Sequence, residues 1–383
     1  RIGVRGNGMP IDSKISYFLL AELGNSGITN GGEKVAVTDA SITLNHIPFL
    51  RVRIGLFKYP GSEEGLQAIQ VADYINFTEV TNQLMLERFP NRDNYYKTNV
   101  NGTLRGNTEA QWLGVSPNGF ERSVGAFRDI GVQIFDWINK GGWEHSYAFM
   151  MGNGNGLNFG DNNQNKTFYG YVSSEKIFNG KGGRREGLKV YAWFQRGLRA
   201  YDQDFSFTQT AVYDTVAQAP STTDFVYDST GRISLVHYTR TRTGAGFKYL
   251  KKPYRVSAEY IYGKGMIFLG AHKESFDMNV PGGNGNGLVG TANGWYVDAG
   301  WYIPSTPFEL DFRYDVYNRL TGDQLEANYQ TATIGGQYEL NKKTRLMLNY
   351  AYRKASSATG NSALDDNLSG IGGRVAAQIT ALY

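Results

Sequence analysis

The residues with the most chemical potential in this 383-residue chain are its arginines. They recur at alternate positions, Arg51 and Arg53 in "FLRVRIGLF" and Arg240 and Arg242 in "TRTRTGAG". On a strand that spacing puts both guanidiniums on one face, where they could hold anions. "FELDFRYDVYNR" instead puts Glu309, Asp311, Arg313 and Asp315 on one face, where acid and base can pair. Nucleophilic and metal chemistry have far less to work with. There is no cysteine, hence no thiolate. The four histidines, His46, His145, His237 and His272, form no HxH or HxxxH pair, and none sits in a motif with a nucleophile. No catalytic residue, metal or cofactor is therefore expected. "GNGNGL" occurs twice, at Gly152–Leu157 and Gly283–Leu288. A calcium turn needs carboxylates where these copies hold asparagine, and only Asp161 is near. Asn-Gly pairs permit positive φ, so both copies read as loop turns.

The elements that carry these residues are strands. In Phe308–Arg319, Phe308, Leu310, Phe312, Tyr314 and Val316 alternate with the charged set. Leu346, Leu348, Tyr350 and Tyr352 alternate with Arg345, Met347, Asn349 and Arg353. Near the end, Val375, Ala377, Ile379, Ala381 and Tyr383 alternate with Arg374, Ala376, Gln378 and Thr380. Each has the period of two that marks a strand with one apolar and one polar face. About fifteen such segments run from 1–6 to 367–383. Their connections alternate between tight turns, such as His46–Pro48 and Asn341–Lys343, and longer loops, such as 60–126 and 202–234. No linker or composition shift divides 1–383, so one domain is expected.

Many of these strands exceed ten residues, enough to cross hydrocarbon when tilted, at ~9–11 residues. The longest nearly apolar stretch, Ile15–Leu23, is too short for a membrane helix. Arg1 already stands in strand-like sequence, with no leader pattern before it. Aromatics gather near strand ends, Trp295, Tyr296, Trp301 and Tyr302 around one strand and Trp137 and Trp143 around one turn, as interfacial girdles do. A polar face on so many strands would bury too many charges if packed as a core, so it must face water. The expectation is an all-β transmembrane antiparallel β-barrel, closed because lipid leaves no backbone group a water partner. A net charge of +4 gives no concentrated basic face for nucleic acid.

Segment 60–126 is too long for a turn. Its first part reads as partly helical, with Leu66, Ile69, Val71, Ile75 and Leu84–Leu86 as apolar anchors. Inside a wide barrel it would fold into the lumen and narrow it. "VTDASITL" (Val37–Leu44), "RVRIGLFKYPGSEEG" (Arg51–Gly65) and "LERF" (Leu86–Phe89) resemble the phosphate-selective porin O and P family. The match spans about fifty residues. Pro60-Gly61 stands where that family has Pro-Phe-Gly, and the arginine ladder of its phosphate-specific members has no clear counterpart. The resemblance implies a trimeric porin of about 16 strands in the Gram-negative bacterial outer membrane, bedded in lipid and lipopolysaccharide. It also implies one strand ahead of the segment matching Arg1–Met9, so the first strand would be missing from this chain. Lys58, Glu87 and Arg88 match its motif.

Strand parity turns twelve bases inward, Arg51, Arg53, Lys189, Arg199, Arg240, Arg242, Lys248, Arg255, Arg313, Arg345, Arg353 and Arg374. Seven acids join them, Asp39, Asp129, Glu259, Glu309, Asp311, Asp315 and Glu339. Such a lumen concentrates anions. The Arg51/Arg53 and Arg240/Arg242 doublets have few acids near them in sequence and are the favoured anion contacts. The cluster around Arg313 reads as neutral pairs that wet the wall. Lys58 either stands at the constriction or clasps Glu63 or Glu64. Passive diffusion of small hydrophilic, anionic solutes such as phosphate is the function expected. The alternatives are a sleeve around a partner such as an electron-transfer haem protein, or a barrel enzyme.

Overall fold

Fifteen strands form one continuous antiparallel sheet in the computed structural model of the protein. They are β1 (Ile2–Met9), β2 (Asp12–Leu23), β3 (Val35–Ile47), β4 (Leu50–Lys58), β5 (Arg128–Lys140), β6 (Trp143–Gly152), β7 (Thr167–Asn179) and β8 (Glu186–Asp202). β9 (Leu235–Lys251), β10 (Tyr254–Lys264), β11 (Thr291–Tyr302), β12 (Phe308–Arg319), β13 (Ala327–Asn341), β14 (Thr344–Ser357) and β15 (Arg374–Ala381) complete it. The structure describes residues 1–9, 12–24, 35–68, 71–89, 104–105, 122–123, 125–154, 156–157, 164–202, 207–214, 219–229, 235–267, 289–341, 343–360, 362, 365 and 368–381. The second GNGNGL copy, Asp161, His272, Ile69 and Tyr383 lie outside these, as do the side chains of Arg88, Arg199 and His237.

Each strand pairs with its neighbour in sequence, so connections alternate between two ends. Tight links such as those at 48–49, 141–142 and 252–253 lie at one end, and the long ones at the other. The last strand starts where its alternation does, at Arg374, later than the segment bound of 367 and after Gly370, Gly372 and Gly373. These glycines have no side chain to fix on either face.

The register stacks residues of one face across successive strands. On one side Val256, Ala299, Phe312, Ile334 and Tyr350 are successive partners on β10 to β14. On the other, Glu259, Tyr296, Asp315, Thr331 and Arg353 follow one another. The apolar side is the exposed one. Ile334 is 59% exposed and Leu348 58%, with Phe312, Leu346 and Tyr350 beside them. Arg313, at 4%, and Arg345 face inward, as their alternation requires. A sheet bathed in water does not present so wide an apolar surface, whereas one bathed in lipid does. The buried apolar cluster lies inside, where Val80, Leu84, Met85 and Leu86 meet the wall.

The girdle expectation divides by the same parity. Trp295 and Trp301 are exposed on the outer face, but Tyr296 and Tyr302 point inward, to Glu259 and Arg184. Adjacent residues on a strand cannot share a face. The seam also differs from expectation. β1 and β15 are the two edges, and among the described residues they are not paired to each other. An odd number of antiparallel strands leaves both edges running the same way.

The first GNGNGL copy leaves β6 as a turn. Gly154 has φ +84° and Gly156 φ +68°, where a Cβ would be strained, and the Gly154 N–H donates to Asp129 Oδ2 at 2.7 Å.

Candidate functional site: a loop docked on the inner wall

The chain leaves β4 at Lys58 and turns across the inside of the sheet. It forms one helical turn, α1 (Glu63–Leu66), an irregular stretch through 71–79, and a π-helical turn at Val80–Met85. The same segment touches β7 through Tyr171 and β14 through Asn349, so the sheet curls around it. Its apolar side chains seat on bare patches of wall. A Cβ on Gly263 of β10 would lie 2.8 Å from Leu84 Cδ1, and one on Gly294 of β11 would lie 2.7 Å from Val80 Cβ. Those two glycines let the π-helical turn lie against the strands.

The polar contacts join loop acids to wall bases. Glu63 meets Lys189 at 2.8 Å and Lys248 at 3.7 Å, and accepts from the Tyr171 hydroxyl at 3.2 Å. Glu64 meets Arg313 at 2.8 Å and accepts from the Thr78 hydroxyl at 2.7 Å. Asp73 lies 3.2 Å from Arg255 and 3.4 Å from Arg184. Glu79 approaches Arg353 at 3.9 Å, and Glu87 pairs with both Arg240 and Arg242. Backbone anchors add to these. The Glu79 N–H donates to Asp315, the Ile75 N–H to Asn349 and the Glu63 N–H to Glu259. Glu259 also accepts from Ser62, Trp193 and Tyr296.

The tight-turn end contributes a second inward element. The β7–β8 turn sends Arg184 across to β11, β12 and β13. It donates to the Tyr302 hydroxyl at 2.6 Å, to Glu309 at 2.5 Å and to Gln337 at 3.2 Å. Sequence reading took this turn as a short connection and missed Arg184, because nothing local marks a side chain that reaches strands over a hundred residues away. It also missed Asp73 and Glu79 as partners of the wall, and offered Glu64 to Lys58 where the structure pairs it with Arg313. The signal available was the run of acids in 60–126 set against an inward face rich in bases.

The expected site residues divide into covered and open. Arg240 and Arg242 are buried, at 3% and 0% exposure, and their acid comes from the loop, not from their own strand. Arg242 also donates to the carbonyls of Gly265 and Met266. Arg313 is held by Asp298 at 2.6 Å and by Glu64, not by Glu309, Asp311 or Asp315 of its own strand. Arg345 donates to Gln337 and to the Ala72 carbonyl. Lys58 clasps the loop, through the carbonyls of Gly65 and Gln67 at 2.8 Å each instead of a carboxylate. Arg88 lies in the short strand Arg88–Phe89, paired with Arg122–Ser123. Arg51 and Arg53 are only partly covered. Arg51 sits 3.9 Å over the Trp137 ring and 3.5 Å from Asp136. Arg53 sits 4.5 Å over the Phe135 ring and donates to the Thr43 hydroxyl at 3.3 Å, with no carboxylate in ion-pair contact among the described residues.

His145 Nδ1 lies 2.8 Å from Ser174 Oγ, on the outer face of β6 and β7. Among the described residues no carboxylate supports that pair, so it lacks the third group of a hydrolytic triad.

Two loop carboxyls, Glu63 and Asp73, stay ionised over a wide pH range. Burial raises Glu63 and Asp73, but Lys189 and Lys248 overcome it at Glu63, and Arg255 and Arg184 at Asp73, so that both titrate at about 2. Their ordinary values are 4.5 and 3.8. Values depressed in the folded state stabilise docking fully above the ordinary values, and that contribution is lost as pH falls through about 2. Conductance should accordingly hold steady from pH 7 to pH 5 and rise only in strong acid. A rise already centred near pH 5 would mean that these carboxyls do not hold the loop.

No family model matches the chain, and no curated protein matches it. Solved structures are similar in fold. OmpT of Vibrio cholerae is 12% identical, with 93% of this chain and 79% of that one covered and a TM-score of 0.47. An anion-selective porin from Comamonas acidovorans is 14% identical, with 93% and 79% covered and a TM-score of 0.46. OprB of Pseudomonas putida is 10% identical, with 96% and 82% covered and a TM-score of 0.47.

Proposed function

We propose that the protein is a porin of the bacterial outer membrane, a trimer that lets small hydrophilic, preferentially anionic solutes diffuse through. Phosphate is one candidate solute, from the local resemblance to the phosphate-selective O and P family. The observation that carries the reading is the division of the inner wall. Acids of the loop pair with bases on β8, β9, β10, β12 and β14, while Arg51 and Arg53 on β4 stay partly open and, among the described residues, meet no loop acid. A solute passing beside the docked loop meets those two guanidiniums. At ~0.15 M salt the Debye length is ~8 Å, so only charges beside the path steer an ion strongly. A sleeve around a partner protein is disfavoured because the loop takes up lumen volume that a partner would need.

Replacing Arg51 and Arg53 together with alanine should lower the anion-to-cation permeability ratio and leave folding intact, because half-solvated charges contribute little to stability. The measurement is reversal potential across a planar bilayer under a salt gradient. A cation-selective wild type, or a ratio unmoved by the double change, would remove these two residues from the path.

A further inference from the structure

Asp73 is an imperfect occupant of its site. It is 5% exposed and lies between two guanidiniums, yet its Oδ1 has no hydrogen-bond partner. Arg255 Nη1, which faces it, has none either. The charges are close, at 3.2 and 3.4 Å, but the paired N–H···O geometry of a guanidinium–carboxylate fork is not made. Around it, Arg255 is otherwise well bonded, to Glu309 at 3.0 Å and Asp311 at 2.6 Å. Arg184 is bonded to Tyr302 and Glu309, and Arg345 to Gln337. Among the described residues, three guanidiniums thus face three carboxylates, Asp73, Glu309 and Asp311. If Asp73 swings away, one positive charge is left uncompensated beside donors that already point inward.

The backbone around Asp73 is fixed independently of its side chain. Gln337 donates to the Asp73 carbonyl at 3.1 Å, and Arg345 to the Ala72 carbonyl at 2.7 Å. These backbone bonds, with Glu63 and Glu64 still paired to the wall, keep the loop docked when the Asp73 carboxylate leaves.

We propose that Arg184, Arg255 and Arg345 form a binding site for the carboxylate group of a monoanionic solute, which Asp73 fills in the empty protein and yields when solute arrives. The inference rests on the pore reading and names its solute class. The single charge left by Asp73 is matched by a monocarboxylate, whereas a phosphate dianion would overcompensate it. The planar fork of Arg255 also suits a carboxylate. Arg184, on the tight turn, is the specificity residue that sequence did not show.

An occupied site weakens apparent affinity by the fraction of time it stands open, so emptying it permanently should strengthen binding. The test uses the full chain and propionate. Binding of labelled propionate to the detergent-solubilised protein is measured for wild type, Asp73→Asn and Arg184→Gln, with inorganic phosphate and chloride as competitors. Single-channel conductance in potassium chloride is recorded on the same preparations. Asp73→Asn should bind propionate on the order of tenfold more tightly. Arg184→Gln, which alters a turn and no strand, should bind it several-fold more weakly, and phosphate should compete poorly. Propionate affinity unchanged within twofold by Asp73→Asn overturns the site, as does phosphate competing as well as propionate. A protein that conducts but fails these binding tests loses only this site. One that passes them without conducting keeps the site and loses the pore.

Discussion

Excision of residues 71–86, with the ends joined by a short Gly-Ser link, is expected to raise single-channel conductance several-fold and to sharpen anion preference. The segment fills lumen beside β10 to β14, and Val80, Leu84 and Met85 are almost fully buried against that wall. Its removal also takes away Asp73 and Glu79, leaving Arg255, Arg184 and Arg353 facing water. Taking away two acids and no base makes the lumen more positive and raises the local anion concentration. The backbone ladder of the fifteen strands does not run through this segment, so the sheet should still assemble, with less stability from lost apolar burial. Planar-bilayer recordings of deletion and wild type check it. A folded deletion with unchanged conductance would show that the loop does not narrow the path.

The largest loss of stability from a single side chain is expected at Arg313. It is bonded to Asp298 at 2.6 and 3.0 Å, to Glu64 at 2.8 Å and to the Asn76 carbonyl at 3.1 Å, and it lies 3.9 Å over the Tyr74 ring. Arg313→Met keeps much of the volume but strands Asp298 and Glu64, both buried, without their cation. Removing one partner of a buried pair typically costs about 3–5 kcal/mol, because the desolvated charge remains. The urea midpoint of the lipid-reconstituted protein should fall accordingly, with the slope of the transition unchanged. Adding Asp298→Asn should recover part of the loss. A single-mutant loss below about 1 kcal/mol would place Arg313 in water, since that is what exposed pairs contribute. The loop should also loosen in this variant, because among the described residues Arg313 is the wall group that Glu64 meets.

Alternation by itself determined the strands, their faces and the two kinds of connection. Leu346, Leu348 and Tyr350 could only lie together, and Arg345 opposite them, because a strand has period two wherever it is placed. Leu84–Leu86 called for a surface to cover, since apolar side chains on a loop need one, and these three lie buried against the wall. Pairing across the lumen was not legible. Arg240 and Arg242 looked open because sequence shows only neighbours along a strand, while Glu87 reaches them from a segment some 150 residues away. Arg184 looked like a turn residue until the curl of the sheet brought β7 and β12 to one mouth. A charge's partner depends on distance in space, and electrostatic energy falls with that distance whatever the separation along the chain. Sequence therefore set which face each base occupies. Tertiary structure decided which bases are spent on the loop, and which, Arg51 and Arg53, remain partly open.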